Sequence, residues 1–184
     1  ILAHEVLWGD PLGADLWIAL SDLLSRRLPH PRGGTLAYDR VLIDSGDGNM
    51  TQMVYDFCEI RQARKIVAIK GRDGNLPILK AQGMKRNRTS TQYIVGVDGV
   101  KTDILTSLAL DIGADNAIRF SNTLGEEYFR QLTAERRETV LVSGRPVVKF
   151  VRIERRKAEA LDALTYGLAA KQLCRFDFDA RYAQ

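Results

Sequence analysis

Val41-Leu42-Ile43-Asp44-Ser45-Gly46-Asp47-Gly48 decides the fold class. The stretch Leu36 to Ile43 ends in an apolar run without alternation, the signature of a strand buried on both faces. The run stops at a polar, glycine-containing turn, Asp44 to Gly48, after which Thr51 is placed to cap a helix carrying Val54, Phe57 and Cys58 on one side. The unit is strand, polar turn, helix.

The same unit recurs. Lys65 to Gly71 contains the strand Ile66-Val67-Ala68-Ile69. Tyr93 to Val97 is a third apolar strand, ending in Asp98-Gly99 and leading into a helix from Thr102 to Leu110 with Ile104, Leu105 and Leu108 inward. Upstream, Glu5-Val6-Leu7-Trp8 reads as a short strand closed by Gly9-Asp10-Pro11, and Asp15 to Leu28 as an amphipathic helix capped by Asp15 and stopped by Pro29, with a loop to Gly34. Downstream come a short segment at Ala117 to Phe120 and a helix from Gly125 to Arg136. Val140–Ser143 and Pro146–Ile153 then flank Gly144-Arg145 as a β-hairpin. Lys157 to Leu173 closes the series as a helix with Leu161, Leu164 and Leu168 on one face and Glu159, Asp162 and Tyr166 on another. This order predicts an α/β fold of one domain over 1–184: a mostly parallel sheet flanked by helices, with the hairpin at one edge.

Composition agrees with an ordinary globular domain, 45% hydrophobic and 27% charged with a mean hydropathy of −0.18. No apolar run approaches the ~18 residues of a membrane span, and His4 and Glu5 follow Ile1-Leu2-Ala3 too soon for a signal peptide, so the chain reads as cytosolic in type. Cys58 and Cys174 sit in apolar helical patterns and read as buried free thiols. His4 and His30 are too few for a zinc motif. No G-x-x-x-x-G-K-[ST], G-x-G-x-x-G or G-x-S-x-G occurs, which removes nucleotide cradles and the serine-hydrolase elbow.

The net charge of +4 permits a polyanionic partner without demanding one. Its distribution is more informative: the stretch 72–91 has no convincing period, reads as a flexible basic loop, and carries Lys80, Lys85, Arg86 and Arg88. A second basic run spans Arg152 to Lys157. Both read equally well as solvated faces.

Two strands end in an acid, Asp44 and Asp98, where the loops of an open α/β sheet diverge and ligands collect. Each is also at home as a turn former beside its glycine. Asp162, one turn after Glu159, lies in an otherwise apolar helical stretch and needs a cation or donor nearby. Carboxylates converging from strand ends and a helix make a hard oxygen site suited to Mg²⁺ or Mn²⁺. Lys70 and Lys101 are placed either to touch phosphate or to pair with these acids.

The segments, taken in order, resemble the nuclease domain of the large terminase subunit of lambda-like tailed phages, the GpA type. The similarity runs through His4-Glu5-Val6-Leu7-Trp8-Gly9-Asp10-Pro11, Ile43-Asp44-Ser45-Gly46 and Val54-Tyr55-Asp56-Phe57. It continues through Ala68-Ile69-Lys70-Gly71, Val95-Gly96-Val97-Asp98 with Lys101, Glu126 to Glu135, and Glu159-Ala160-Leu161-Asp162 with Tyr166. The resemblance implies an RNase H-like mixed sheet and a two-metal, Mg²⁺- or Mn²⁺-dependent endonuclease that cuts concatemeric viral DNA. It implies Asp44 and Asp162 as metal ligands, Glu159 and Asp98 as neighbouring acids, and Lys70 and Lys101 in phosphate or acid pairing. The basic residues Lys80, Lys85, Arg86 and Arg88 would grip double-stranded DNA. Terminase small subunit and portal are the implied partners, and the host cytoplasm the implied location.

That family's domain opens with a further strand and Asp, so a fragment incomplete at its N-terminus is expected. Ala158 stands where the family has Asn. A catalytically inactive DNA-binding or assembly module of the packaging machine is the competing reading, and an unrelated RNase H-like resolvase or transposase-type nuclease a third.

Overall fold

A computed structural model of the chain describes residues 1–30, 33–82 and 92–174. The central sheet has four strands: β3 (Val41–Asp44), β4 (Ile66–Arg72), β5 (Leu79–Gln82) and β6 (Gln92–Gly96), in the order β3-β4-β6-β5. β3, β4 and β6 are parallel and β5 runs antiparallel to β6. A short antiparallel pair, β1 (Leu28–Pro29) and β2 (Thr35–Leu36), stands apart. The hairpin β7 (Glu135–Val142) and β8 (Arg145–Arg152) forms its own two-stranded sheet.

Helices cover both faces of the central sheet, as the alternation of strands and helices requires. On β4, Ile66 and Ala68 point into a core with Val54, Tyr55, Phe57 and Cys58 of α2 (Thr51–Glu59), and α1 (Ala14–Leu23) adds Trp17 and Leu20 at its margin. Ile69 points to the opposite core. There α3 (Val97–Leu108), α4 (Glu126–Leu132) and α5 (Glu159–Lys171) supply Val100, Ile104, Leu132, Leu161 and Leu164. Leu42 packs on that second core while Val41 and Ile43 face the first. The period-two pleat therefore sends Asp44 to the α5 side.

Several expectations are corrected. Glu5–Trp8 forms no strand: Ser121 N–H donates to the Ile1 carbonyl at 2.8 Å, His4 meets the Tyr128 ring edge-on at 5.1 Å, and Trp8 is 86% exposed. The segment is held at its start by contacts to the Ile118–Tyr128 region instead of by a ladder. Leu36 and Val41–Ile43 belong to different strands, because Leu36 pairs with Leu28. β3 is an edge strand and only half-buried; the doubly covered strand is β4. The antiparallel edge of the sheet is β5, formed inside the stretch read as a loop, where Leu79–Gln82 ladders onto β6; residues 83–91, with Lys85, Arg86 and Arg88, lie outside the described residues.

The helix expected to reach Arg136 ends at Leu132, since Glu135 onward enters an eight-pair ladder with β8. Ser143 and Gly144 turn that hairpin with φ of 50° and 76°, the two left-handed residues of a type I′ loop. Gly13 and Met50, not Asp15 and Thr51, occupy the N-caps of α1 and α2. Thr51 instead donates its hydroxyl to the carbonyls of Ser45 and Asp47, each at 2.8 Å, tying α2 to the turn after β3. Both cysteines are free; Cys58 is buried, which pushes its thiol up to about 12 against the opposing charge of Arg61, whereas Cys174 is only half-buried.

Gly96, where β6 passes into α3, has no room for a side chain. A Cβ there would lie 2.7 Å from the carbonyl oxygens of both Leu76 and Pro77, which are backbone and cannot rotate away. Gly96→Ala is expected to cost about 1–3 kcal/mol by overpacking, read as a melting temperature lower by ~2–4 °C per kcal/mol. An unchanged melting temperature would show that the 76–78 segment moves freely.

Candidate active site

Asp44 closes β3 with its carboxylate exposed, on the face that α5 covers. Its Oδ1 accepts the Gly46 N–H at 2.9 Å, an Asx turn that sets the side chain, and its Oδ2 accepts the Tyr166 hydroxyl at 3.0 Å. Tyr166 lies one turn after Asp162 on α5, so the helical period puts both beside the strand end. Burial, then the charge and hydrogen bond of Asp44, then the charges of Asp162 and Asp73, push the Tyr166 hydroxyl well above its ordinary value. Tyr166 therefore stays protonated and donating, and three carboxylates act on one half-buried tyrosine.

Gly71 makes that arrangement possible. It lies two residues after Ile69 on the same face of β4, and a Cβ at this position would lie 2.6 Å from the Tyr166 hydroxyl oxygen and 3.1 Å from Val97 Cγ1. Gly71→Ala is expected to drive the hydroxyl off Asp44 and to destabilise the protein by about 1–3 kcal/mol. Adding Tyr166→Phe removes the clashing oxygen, so the double variant should lose less than the sum of the singles. Strict additivity in urea unfolding would show that the two positions do not meet.

Behind Asp162 lies an ion-pair network that seals the inner wall. Lys101 Nζ, from α3, is 2.7 Å from Glu135 Oε2 and 3.1 Å from Asp162 Oδ1, with Lys101 and Glu135 side chains only 8% and 7% exposed. Arg152, at the end of β8, reaches Glu135 Oε1 and Asp162 Oδ2, each at 3.6 Å. Residues 135 and 152 are paired in the hairpin register, so the base of the hairpin delivers an acid and a cation to the site together.

The other expected site residues are distributed differently. Asp98 falls in the first turn of α3, where its Oδ2 accepts the Gly74 N–H at 2.7 Å and anchors the turn after β4. Glu159 is exposed in the first turn of α5, and Ala158 occupies the N-cap without a side-chain hydrogen bond. Lys70 and Lys80 each pair with Ile94 in the ladder and so share a face, the one opposite Asp44 by the pleat. Nothing local in the sequence marks Glu135, Arg152, Asp73 or Gly71 as site residues. For Tyr166 the signal is its spacing, which puts it on the helix face of Glu159 and Asp162.

Among the described residues no three His, Cys, Asp or Glu side chains converge into a ready-made metal cage. Asp44 and Asp162 both act on the Tyr166 hydroxyl, but Asp162 meets Lys101 at Oδ1 and Arg152 at Oδ2, whereas Asp44 has only donors about it among the described residues. No cation pairs with Asp44 among the described residues, leaving its charge available.

No helix of the described residues is long and apolar enough to cross a membrane. Comparison with characterised proteins and with solved structures returned no match. Comparison with protein families matched the terminase large subunit gpA endonuclease domain over residues 1–182, in agreement with the resemblance read from the motifs. With that match spanning nearly the whole chain, the protein belongs to the gpA family of terminase large subunit endonuclease domains.

Proposed function

We propose that the chain hydrolyses phosphodiester bonds of double-stranded, concatemeric viral DNA by a two-metal mechanism dependent on Mg²⁺ or Mn²⁺, with Asp44 and Asp162 as the metal-holding acids. The supporting observation is that one protonated hydroxyl, Tyr166, is bonded to Asp44 and lies in the field of Asp162. This ties a strand-end carboxylate and a helix carboxylate to a common centre. A divalent ion held there supplies Lewis-acid stabilisation of phosphoryl charge and a more acidic water.

The chain's own residues do the positioning. Gly46 and Tyr166 fix the two oxygens of Asp44, Lys101 orients Asp162 from the protein side, and Arg152, half-exposed at 50%, keeps beside Asp162 a guanidinium of the kind that pairs with phosphate. In the full packaging assembly the partners would be the terminase small subunit and the portal, in the host cytoplasm. The absence of a three-acid cage among the described residues favours one alternative, a module that binds DNA without cutting it.

Cleavage of supercoiled plasmid in Mn²⁺, in Mg²⁺ and in chelator tests the proposal, with Asp162→Asn alongside. The expected result is nicking that requires the metal and is lost in the variant. Folded protein that never nicks but retards DNA in chelator would favour the binding module, and metal-independent nicking would overturn the role of Asp44 and Asp162.

A further inference from the structure

Between α4 and the turn that joins β8 to α5 lies a cleft of about 490 Å³ lined by Glu127, Arg130, Gln131, Arg155, Arg156 and Lys157. Four cations line it against one carboxylate, and one of the four, Arg130, is paired with Glu126 at 2.8 Å, leaving Arg155, Arg156 and Lys157 without an ion pair among the described residues. That carboxylate is engaged, since Glu127 Oε1 accepts from Gln131 Nε2 at 2.9 Å, and Gln131 Oε1 in turn accepts the Ala160 N–H at 3.2 Å in the first turn of α5. The cleft floor is thus tied to the helix that carries Asp162.

The turn holds one non-glycine residue in the left-handed region. Arg156 N–H donates to the Ile153 carbonyl at 3.1 Å, closing a turn over 153–156 with Arg155 at φ 65°, a position where glycine is the ordinary occupant. An arginine held there places a cation where none is required by the backbone. Arg152, which lies 3.6 Å from Asp162, precedes the turn, and α5 follows it, so the cleft adjoins the acidic centre along the chain, with Ile153 and Glu154 interrupting the run of cations.

We propose that this cleft is a subsite for a backbone phosphodiester of the duplex flanking the bond that is cut. The inference rests on the endonuclease reading and adds to it a place where the substrate is gripped. Planar guanidinium groups suit the bidentate geometry of phosphate oxygens, and the site reads no base, so the contact is independent of sequence.

The test measures anisotropy of a labelled duplex in chelator, where metal-dependent cutting is blocked, from about 50 to 200 mM KCl. Arg155→Gly/Arg156→Gln/Lys157→Gln is expected to lower affinity about tenfold near 100 mM KCl and to reduce the salt slope by about 1–2. Arg155→Gly alone should weaken binding with a melting temperature no lower than the parent's, because glycine relieves the backbone at that position. Glu127→Gln should tighten binding; these two single variants decide the matter if the triple variant does not fold. Parent binding with unchanged affinity and slope in the variants would overturn the subsite while leaving the endonuclease reading standing. Inorganic phosphate bound by the parent, with duplex affinity indifferent to the substitutions, would assign the cleft to free phosphate and overturn it equally. A parent that binds no duplex at about 50 mM KCl would overturn both readings.

Discussion

Asp44→Asn is expected to slow Mn²⁺-supported plasmid nicking on the order of 10³-fold, the loss that several kcal/mol of transition-state stabilisation represents. The melting temperature should stay within ~2 °C, as for an exposed substitution that makes no cavity. Asp44 is exposed, and among the described residues its only partners are two donors, the Gly46 N–H and the Tyr166 hydroxyl. The amide oxygen of Asn can still accept one of them, so the turn after β3 survives. The negative charge and the second oxygen do not. Initial rates at saturating Mn²⁺, with thermal unfolding of the same preparations, separate the two effects; nicking at the parental rate would remove Asp44 from the reaction.

Lys101→Met is the substitution with the largest expected effect on stability, about 3–5 kcal/mol, because it breaks a buried pair and strands the remaining charge. Glu135 is nearly as buried as Lys101, and without the ammonium its nearest cation is Arg152 at 3.6 Å. Asp162 loses its closest cation at the same time. The melting temperature should fall by roughly 6–20 °C for a chain of this size. Lys101→Met/Glu135→Gln should recover part of the loss, since the stranded carboxylate is then neutral. A full cycle including Glu135→Gln alone measures the coupling, and a value near zero would mean that Glu135 is solvated in solution.

The parallel strands and their helices were legible because each carries a local signal. The apolar runs Val41–Ile43 and Ile66–Ile69 became strands, Tyr93–Gly96 did so while Val97 opens α3, and the leucines of α5 face the core as their spacing required. The hairpin was legible from Gly144 flanked by β-branched residues. Glu5–Trp8 misled because a short apolar run such as Val6-Leu7-Trp8 forms no strand without a neighbour to pair with. β5 was missed for the converse reason: Leu79-Lys80-Ala81-Gln82 has little intrinsic preference and is a strand because β6 offers it an open edge.

The candidate site divides along the same line. Asp44 and Asp162 stood out in the sequence because each sits where its residue type is locally conspicuous, at a strand end and in an apolar helix. Lys101 stood out as a cation beside a strand end, with acid pairing as one of its two readings, and the structure finds it paired with Glu135 and Asp162. Glu135 and Arg152 could not be found that way. They reach the centre because a separate two-stranded sheet sets its base against α3 and α5, a contact between segments with no shared period. Gly71 is likewise ordinary in sequence and matters because a tyrosine 95 positions later fills the space its missing Cβ leaves. Periodicity, turn chemistry and motif order, all local properties of the chain, determined the fold class and the family. Which carboxylates are charged and free, which are neutralised, and which cations remain for a phosphate were decided only by tertiary packing, since a charge takes its value from neighbours that sequence distance does not reveal.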